Sequence, residues 1–323
     1  MPRGGRGDGR ARPGPASMGV YLLRRLLAAA LVVWGVLSAI FLVVRVIPGD
    51  PAAVLLGTFA TPDLVAEQRA KMGLDRPLAV QYLLFLRQAI AGDWGRSYHE
   101  GRPAFVMVVE RLPATVELAA AAIALTIVVS FALGSIAARR AQTPVDRAIG
   151  AFSLVGQAVP NFWLGLVLII VFARMLHWLP SFGRGTVWHL VLPTVTLSVQ
   201  LIGVMTRLVR AGLLETLSQE YVRTARAKGL AEPAVFVRHV YRNMLIPVVT
   251  MLGLQLGALL GGVVVLETVF AWPGLGRLIV TAINNRDYPV VQAAVTFAAL
   301  AVVALNLLVD VVYAYLDPRI RYT

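Results

Sequence analysis

The sequence predicts an all-α membrane protein with six transmembrane helices, cytoplasmic N- and C-termini, and a basic cytoplasmic loop between the fourth and fifth spans. Three observations support it. Of 323 residues, 58% are hydrophobic and only 15% charged, with a mean hydropathy of +0.73; an average soluble domain carries roughly 25% charged residues. Six apolar runs, 22–47, 115–138, 149–176, 188–208, 244–269 and 290–315, reach the roughly 20 residues that a helix needs to cross hydrocarbon. The basic residues lie between those runs and favour one side.

That bias sets the orientation. With the N-terminus inside, Arg24, Arg25, Arg139, Arg140, Arg147, Arg207, Arg210, Arg319 and Arg321 are cytoplasmic. The short outside loops hold only Arg174, Arg184, Arg277 and Arg286, as the positive-inside rule requires. The net charge of +13 is therefore explained by topology and lipid headgroups, and nucleic acid is not an expected partner. The chain has no cysteine, which excludes disulfides, thiolate metal sites and thiol catalysis.

Residues 1–20 form a Gly-, Pro- and Arg-rich tail that cannot bury a core and is expected to be disordered; Met18 also reads as a natural start. The first span, 21–47, is too long for a signal-peptide core and ends in Arg45 and IPGDP instead of a small-residue cleavage site. Residues 48–113 are mixed in charge and read as an external subdomain. Thr61-Pro62-Asp63 is a helix start and Gly73 its stop, Pro77 opens a second, amphipathic helix, and Pro103 a third. Asp93, His99 and Glu100 sit in a Gly-rich turn and form no catalytic arrangement.

Residues 114–323 hold the other five spans, with the basic loop at 215–243. The third span contains QAVPNFW, 157–163, whose proline frees a carbonyl and kinks the helix; Pro193 and Pro247 are expected to do the same. Gln157, Asn161, Gln200 and Gln255 are polar groups at membrane depth, either lining a substrate pathway or bonding helices together. Gly253, Gly257, Gly261 and Gly262 give the fifth span a face for close packing. Asp310 is the one carboxylate deep enough in a span to need explaining, as a proton relay or as half of a salt bridge. His99, His177, His189 and His239 are scattered, so no metal site is expected. The chain has no G-x-x-x-x-G-K-[ST] loop, so it does not bind ATP in that way.

The basic loop reads as two short helices. Residues 220–228 form the first, Gly229 suits a left-handed stop, and Glu232-Pro233 starts the second, running through Val235, Phe236 and Val240 into the membrane. Such a rigid knob fits either headgroups or a groove on a soluble protein.

YVRTARAKGL (221–230) and RHVYRNMLIPVVT (238–250) resemble the cytoplasmic loop of permease subunits of ATP-driven, binding-protein-dependent importers, in the dipeptide/oligopeptide/nickel branch. RVIPGDPA (45–52), GLDRPLAVQYL (73–83), GDWGRSY (92–98), RLPATVELA (111–119), ETVFAWPGLGRLIVTAI (267–283), RDYPVVQ (286–292) and LDPRIRY (316–322) agree with it. The general family loop is Glu-Ala-Ala, three residues, Gly, nine residues, Ile-x-Leu-Pro. Here Arg223, Thr224 and Ala225, then His239, Val240, Tyr241 and Arg242, stand at those positions. Only Ala225 and Gly229 match, the rest following the peptide branch.

The resemblance implies a type I importer permease. It pairs with a second homologous permease, docks on two ATP-binding subunits that carry the ATP and Mg, and receives solute from an extracytoplasmic binding protein. The chain itself holds no cofactor and no catalytic residue. The loop residues implied to couple it to the ATPase are Glu220, Tyr221, Arg223, Thr224, Ala225, Arg226, Lys228 and Gly229. The solute is a peptide or a related small molecule such as a nickel chelate or glutathione, moved by alternating access across a bacterial cytoplasmic membrane. The alternative is a proton-coupled secondary transporter using Asp310.

Overall fold

The computed structural model describes residues 18–46 and 50–316; the side chains of 18–24, 239, 242, 243, 246, 256–258, 260 and 310–316 lie outside the description. The side chains of Asp310, His239, Arg242 and Gly257, the LDPRIRY end beyond Leu316, and all but the last three residues of the basic tail are therefore outside it. Among the described residues every regular element is a helix, apart from one isolated bridge between Arg96 and Pro103.

Helix α1 (Met18–Val46) buries Leu37, Ile40, Phe41 and Val44, the i, i+3, i+4, i+7 stripe of one helical face. That stripe packs on α4 (Leu78–Ala91) and α13 (Tyr288–Leu316), while Leu26, Leu31 and Trp34 stay exposed. Between α1 and α4, Asp50 caps α2 (Pro51–Leu56) by accepting the Ala52 N–H, and Thr61 precedes α3 (Pro62–Lys71), whose Pro62 sits in the first turn. Gly73, just past α3, has φ +66°. Along α4, Phe85 is buried and Leu83 exposed.

Pro103 opens α5 (Ala104–Arg139), but α5 is not a separate external helix. It runs 36 residues without a break through Pro113 into the second apolar run, so the 113/114 boundary falls inside a helix. Pro113 itself is exposed. It removes one intrahelical hydrogen bond and crowds the preceding turn, and the buried Ala114, Thr115 and Leu118 that follow it hold α5 against the bundle. Ala114, Leu118, Ala122, Thr126, Ser130, Gly134 and Ala138, every fourth residue of α5, are buried. This mostly small-residue seam lets α8 (Val187–Leu217) lie close along α5; a Cβ on Gly134 would stand 2.6 Å from Val209.

The third apolar run departs most from expectation. It is not one kinked span but α6 (Pro144–Ala158) and α7 (Asn161–Leu168), followed by a π-helical turn, Ile169–Met175, with α6 and the α7 segment bent by 103°. Val159, held extended at φ −80°, ψ 125° by the following proline, and Pro160, which has no N–H to give, end one helix and start the next. Pro193 and Pro247, expected to act likewise, lie inside helices that continue past them, α8 and α11 (Arg242–Val269).

Two short helices, α9 (Glu220–Ala227) and α10 (Glu232–Val235), lie between α8 and α11. A ten-residue helix, α12 (Leu275–Asn284), occupies what the sequence suggested was a loop before α13. By length and composition α1, α5, α8 and α13 can each cross a membrane, and the bent α6–α7 pair makes five; α11 is a further helix of 28 residues.

Gly253 of α11 abuts Val309 of α13 and Gly262 lies against Leu197 of α8, whereas Gly261 faces open space. Two of the three described glycines of this face thus pack within the chain. Three apolar clusters follow: α1, α4, α12 and α13 at one end, α5, α8 and α11 in the middle, and α8, α9, α10 and α11 at the other end.

Candidate functional site

The α9–α10 loop divides its residues sharply. Val222 and Ala225 are buried against Val209 and Leu213 of α8 and Val235 beyond the turn. Glu220, Tyr221, Arg223, Thr224, Arg226 and Lys228 are exposed. The helix ends in a Schellman motif: the Leu230 N–H reaches the Ala225 carbonyl (3.4 Å) and the Gly229 N–H the Arg226 carbonyl (2.9 Å). Gly229 takes φ +75°, and a Cβ there would meet nothing within 4 Å, so the left-handed backbone, not space, calls for glycine.

Arg226 crosses the turn to Glu232, Nε to Oε1 at 2.7 Å and Nη2 to Oε2 at 3.3 Å. It thus braces the loop itself, and Ala225 serves as a packing residue rather than as exposed surface. A second π-helical turn, Phe236–Tyr241, carries the chain from α10 into α11. It is held to the end of α5 by Arg139 over the Phe236 ring at 4.5 Å and by a 3.0 Å hydrogen bond between the Ser135 and Tyr241 hydroxyls.

Three of the four intramembrane polar candidates gather at the α6–α7 bend. The Gln157 amide donates to the Ser153 carbonyl (3.0 Å) and its oxygen accepts from Arg207 (2.8 Å). Asn161 donates to Gln200 at 3.3 Å, while its own Oδ1 is buried with no partner. These contacts join α6 and α7 to α8 where Gly203 meets the Ser153 carbonyl, too close for any Cβ. Gln255 stands apart on α11, half-buried, and no described hydrogen bond links it to the others.

Sequence inspection missed three groups. Asp146, buried in the first turn of α6, holds Arg210 of α8 in a two-pronged ion pair of 2.5 and 2.7 Å and accepts the Gln142 N–H. Arg210 is thus a structural cation as well as a topology signal; the Thr143-Pro144 helix start was the available clue. Glu267 is fully buried and needs explaining more than Asp310. One of its oxygens accepts from Thr115 at 2.5 Å, the other from the Arg277 N–H at 2.9 Å. The Thr115 oxygen takes the Leu275 N–H at 2.8 Å, and Trp272 donates to the Ala114 carbonyl at 2.8 Å. Glu267 therefore caps α12 from inside the bundle, as a carboxylate suits a helix N-terminus. Gly274 and Gly276 are required there because a Cβ on either would strike Glu267 or Val264.

The third group is Asp287, also buried. It accepts from the Ser97 hydroxyl at 2.5 Å and the Tyr98 N–H at 3.1 Å, and His99 meets the Asn285 carbonyl at 2.7 Å. The Gly-rich turn is docked on the α12–α13 corner through Ser97, Tyr98 and His99, while the Asp93, His99 and Glu100 side chains stay exposed. Burial, and secondarily the Asp287 charge, push the Tyr98 phenol well above the usual tyrosine range. Among the described residues no three His, Cys, Asp or Glu gather as metal ligands; His189 is engaged by Thr186 at the start of α8.

A helical bundle broken at a polar bend, with a braced knob projecting from one end, has the makings of a membrane transport component. Residues 130–322 match the family of binding-protein-dependent transport system inner membrane components, and residues 18–119 match the N-terminal region of such components. The chain belongs to this family.

It is 42% identical over 313 residues to a probable peptide ABC transporter permease of Sinorhizobium fredii, spanning 94% of this chain and 100% of the relative. To the glutathione transport system permease of Escherichia coli K12 it is 41% identical over 302 residues, spanning 94% and 99%. A solved inward-facing MetNI methionine ABC transporter shares the fold, with a TM-score of 0.56 at 17% identity over 65% of this chain and 96% of that one. The chain is accordingly a multi-pass membrane permease of an ATP-driven importer, and nothing supports a proton-coupled carrier built on Asp310.

Proposed function

We propose that this chain forms half of the translocation path for short peptides or glutathione-like solutes, the cargo that its relatives' names carry. It spans the membrane six times, α6–α7 counting as one broken span and α11 as another, with both termini cytoplasmic. The α9–α10 knob docks in a cleft on a separate ATP-binding subunit. A second permease completes the path, an extracytoplasmic binding protein delivers the solute, and ATP and Mg sit on the ATPases.

The observation that supports this most directly is the two-sided knob. Val222 and Ala225 bury against the bundle and a Schellman stop fixes the turn, while Glu220, Tyr221, Arg223 and Lys228 face outward. A knob anchored this way moves with α8 and α11, so closure of the ATPases rocks the bundle. Headgroup binding needs cations, not a fixed shape. Gln157, Asn161 and Gln200 are the pathway residues favoured by geometry, because the unpartnered Asn161 oxygen lies at the bend.

The test is capture of the ATPase by purified permease carrying Gly229→Trp. A Cβ on Gly229 meets nothing within 4 Å, so the substituent starts out into open space and its cost inside the chain is the left-handed backbone strain. With folding checked by thermal unfolding, ATPase capture is expected to be lost. Stoichiometric capture by this variant, or uptake without any ATPase, sinks the proposal.

A further inference from the structure

Four of the sequence motifs outside the knob and the bend converge on one cleft. RVIPGDPA brings Arg45, GLDRPLAVQYL brings Gln81, GDWGRSY brings Trp94 and Tyr98, and RDYPVVQ brings Tyr288 and Gln292. The cleft lies between α1, α3, α4 and the start of α13, with a volume of about 630 Å³. That is the size of a small-molecule site, roughly 300–1,000 Å³, and small for a docked protein surface.

Two of its polar groups are left incomplete. Among the described residues the half-buried Arg45 guanidinium makes hydrogen bonds only to neutral oxygens, Gln81 Oε1 at 2.9 and 3.1 Å and the Phe41 carbonyl at 3.2 Å, and stacks 3.5 Å over the Phe41 ring. No described salt bridge includes it, whereas Arg69 in the same cleft is paired with Asp50 at 3.0 Å. Tyr288, 6% exposed, carries a buried hydroxyl with no hydrogen-bond partner among the described residues. Buried polar groups are nearly always satisfied, and a partly buried cation calls for an anion. A guanidinium and a phenol that both donate are complementary to a carboxylate. Asp93, which also lines the cleft, is exposed and engaged by no described salt bridge, leaving a carboxylate for an ammonium.

The geometry points to this cleft as a second binding site for a short zwitterionic peptide, its C-terminal carboxylate on Arg45 and the Tyr288 hydroxyl, its amino terminus on Asp93. This placement rests on the peptide-import proposal, under which the cleft faces the outside and receives solute before the central path.

The experiment is equilibrium binding to the full chain in lipid nanodiscs, with trialanine, trialanine amide and inorganic phosphate as probes. Trialanine is expected to bind saturably. Loss of one charge-assisted contact weakens binding by about tenfold, so the amide binds about tenfold more weakly, as does trialanine to Arg45→Gln and to Tyr288→Phe. Arg87→Gln, an exposed cation of α4 outside the cleft, binds like the parent. The Tyr288→Phe variant keeps the ring and so tests the site even where Arg45→Gln fails to fold. Equal binding of acid and amide, insensitivity to both variants, or the absence of saturable trialanine binding overturns the site. Phosphate competing as well as trialanine reduces it to a simple anion site and overturns the peptide assignment. Parallel capture of the ATPase by the same chain separates failure of this site from failure of the importer proposal.

Discussion

Thr115 donates its hydroxyl proton to the carboxylate of Glu267 at 2.5 Å, across 152 positions of sequence, and its oxygen takes the Leu275 N–H. One hydroxyl thus ties α5 to the end of α11 and the start of α12. Thr115→Val leaves a buried carboxylate and a backbone N–H short of partners, a loss of about 1–3 kcal/mol. Glu267→Ala uncovers the α12 N-terminus and leaves a cavity, and is expected to cost more. Thermal unfolding of the purified protein measures both, and parental midpoints for both variants would mean that the network contributes nothing.

At Gly229 the penalty is conformational. With φ at +75° and no neighbour within 4 Å of a Cβ, Gly229→Ala pays only the left-handed backbone cost of about 1 kcal/mol. Gly229→Asn costs less, since Asn tolerates that region. Midpoints ordered Gly, Asn, Ala confirm the mechanism; a larger loss for Asn than for Ala contradicts it.

Arg226 and Glu232 form an exposed pair, and such pairs contribute about 0–1 kcal/mol. Arg226→Ala therefore barely changes the unfolding midpoint but frees the turn, so ATPase capture falls while the fold persists. Double replacement with Glu232→Ala should capture no worse than the single variant if bracing is the shared role.

Tyr98 supplies a pH test outside the spans. Burial and Asp287 raise its pKa in the fold, so the unfolded chain ionises first, near the ordinary value of about 10. Its contribution is intact below that pH and is lost as the pH climbs from there toward the raised folded value. Tyr98→Phe should flatten the alkaline fall in stability. A difference titration placing Tyr98 at an ordinary tyrosine pKa removes the prediction.

Helix positions were legible wherever periodicity and turn chemistry spoke locally: Thr61-Pro62 at the start of α3, Gly229 at the end of α9, Pro233 in α10. The α12 helix was missed because its ten residues are too few to announce a span and its N-terminus is capped from outside. Its capping carboxylate, Glu267, precedes the helix by eight residues and reaches it only after the chain reverses at Trp272-Pro273-Gly274. Asp146 and Asp287 were missed because their partners, Arg210 and Ser97, are 64 and 190 residues away.

Composition and pattern alone determined a multi-spanning helical membrane protein with a basic two-helix loop, because hydrocarbon thickness fixes span length and glycine fixes a left-handed stop. Only the tertiary structure decided that the third run breaks by 103° at Val159-Pro160, that Gln157, Asn161 and Gln200 meet there, and that Ala225 faces inward while Arg226 braces the turn. It also decided which motifs share the cleft beside Arg45 and Tyr288. A proline states that a hydrogen bond is lost but not whether packing offsets it, and a polar residue does not name its partner. Those are properties of neighbours brought together from distant sequence.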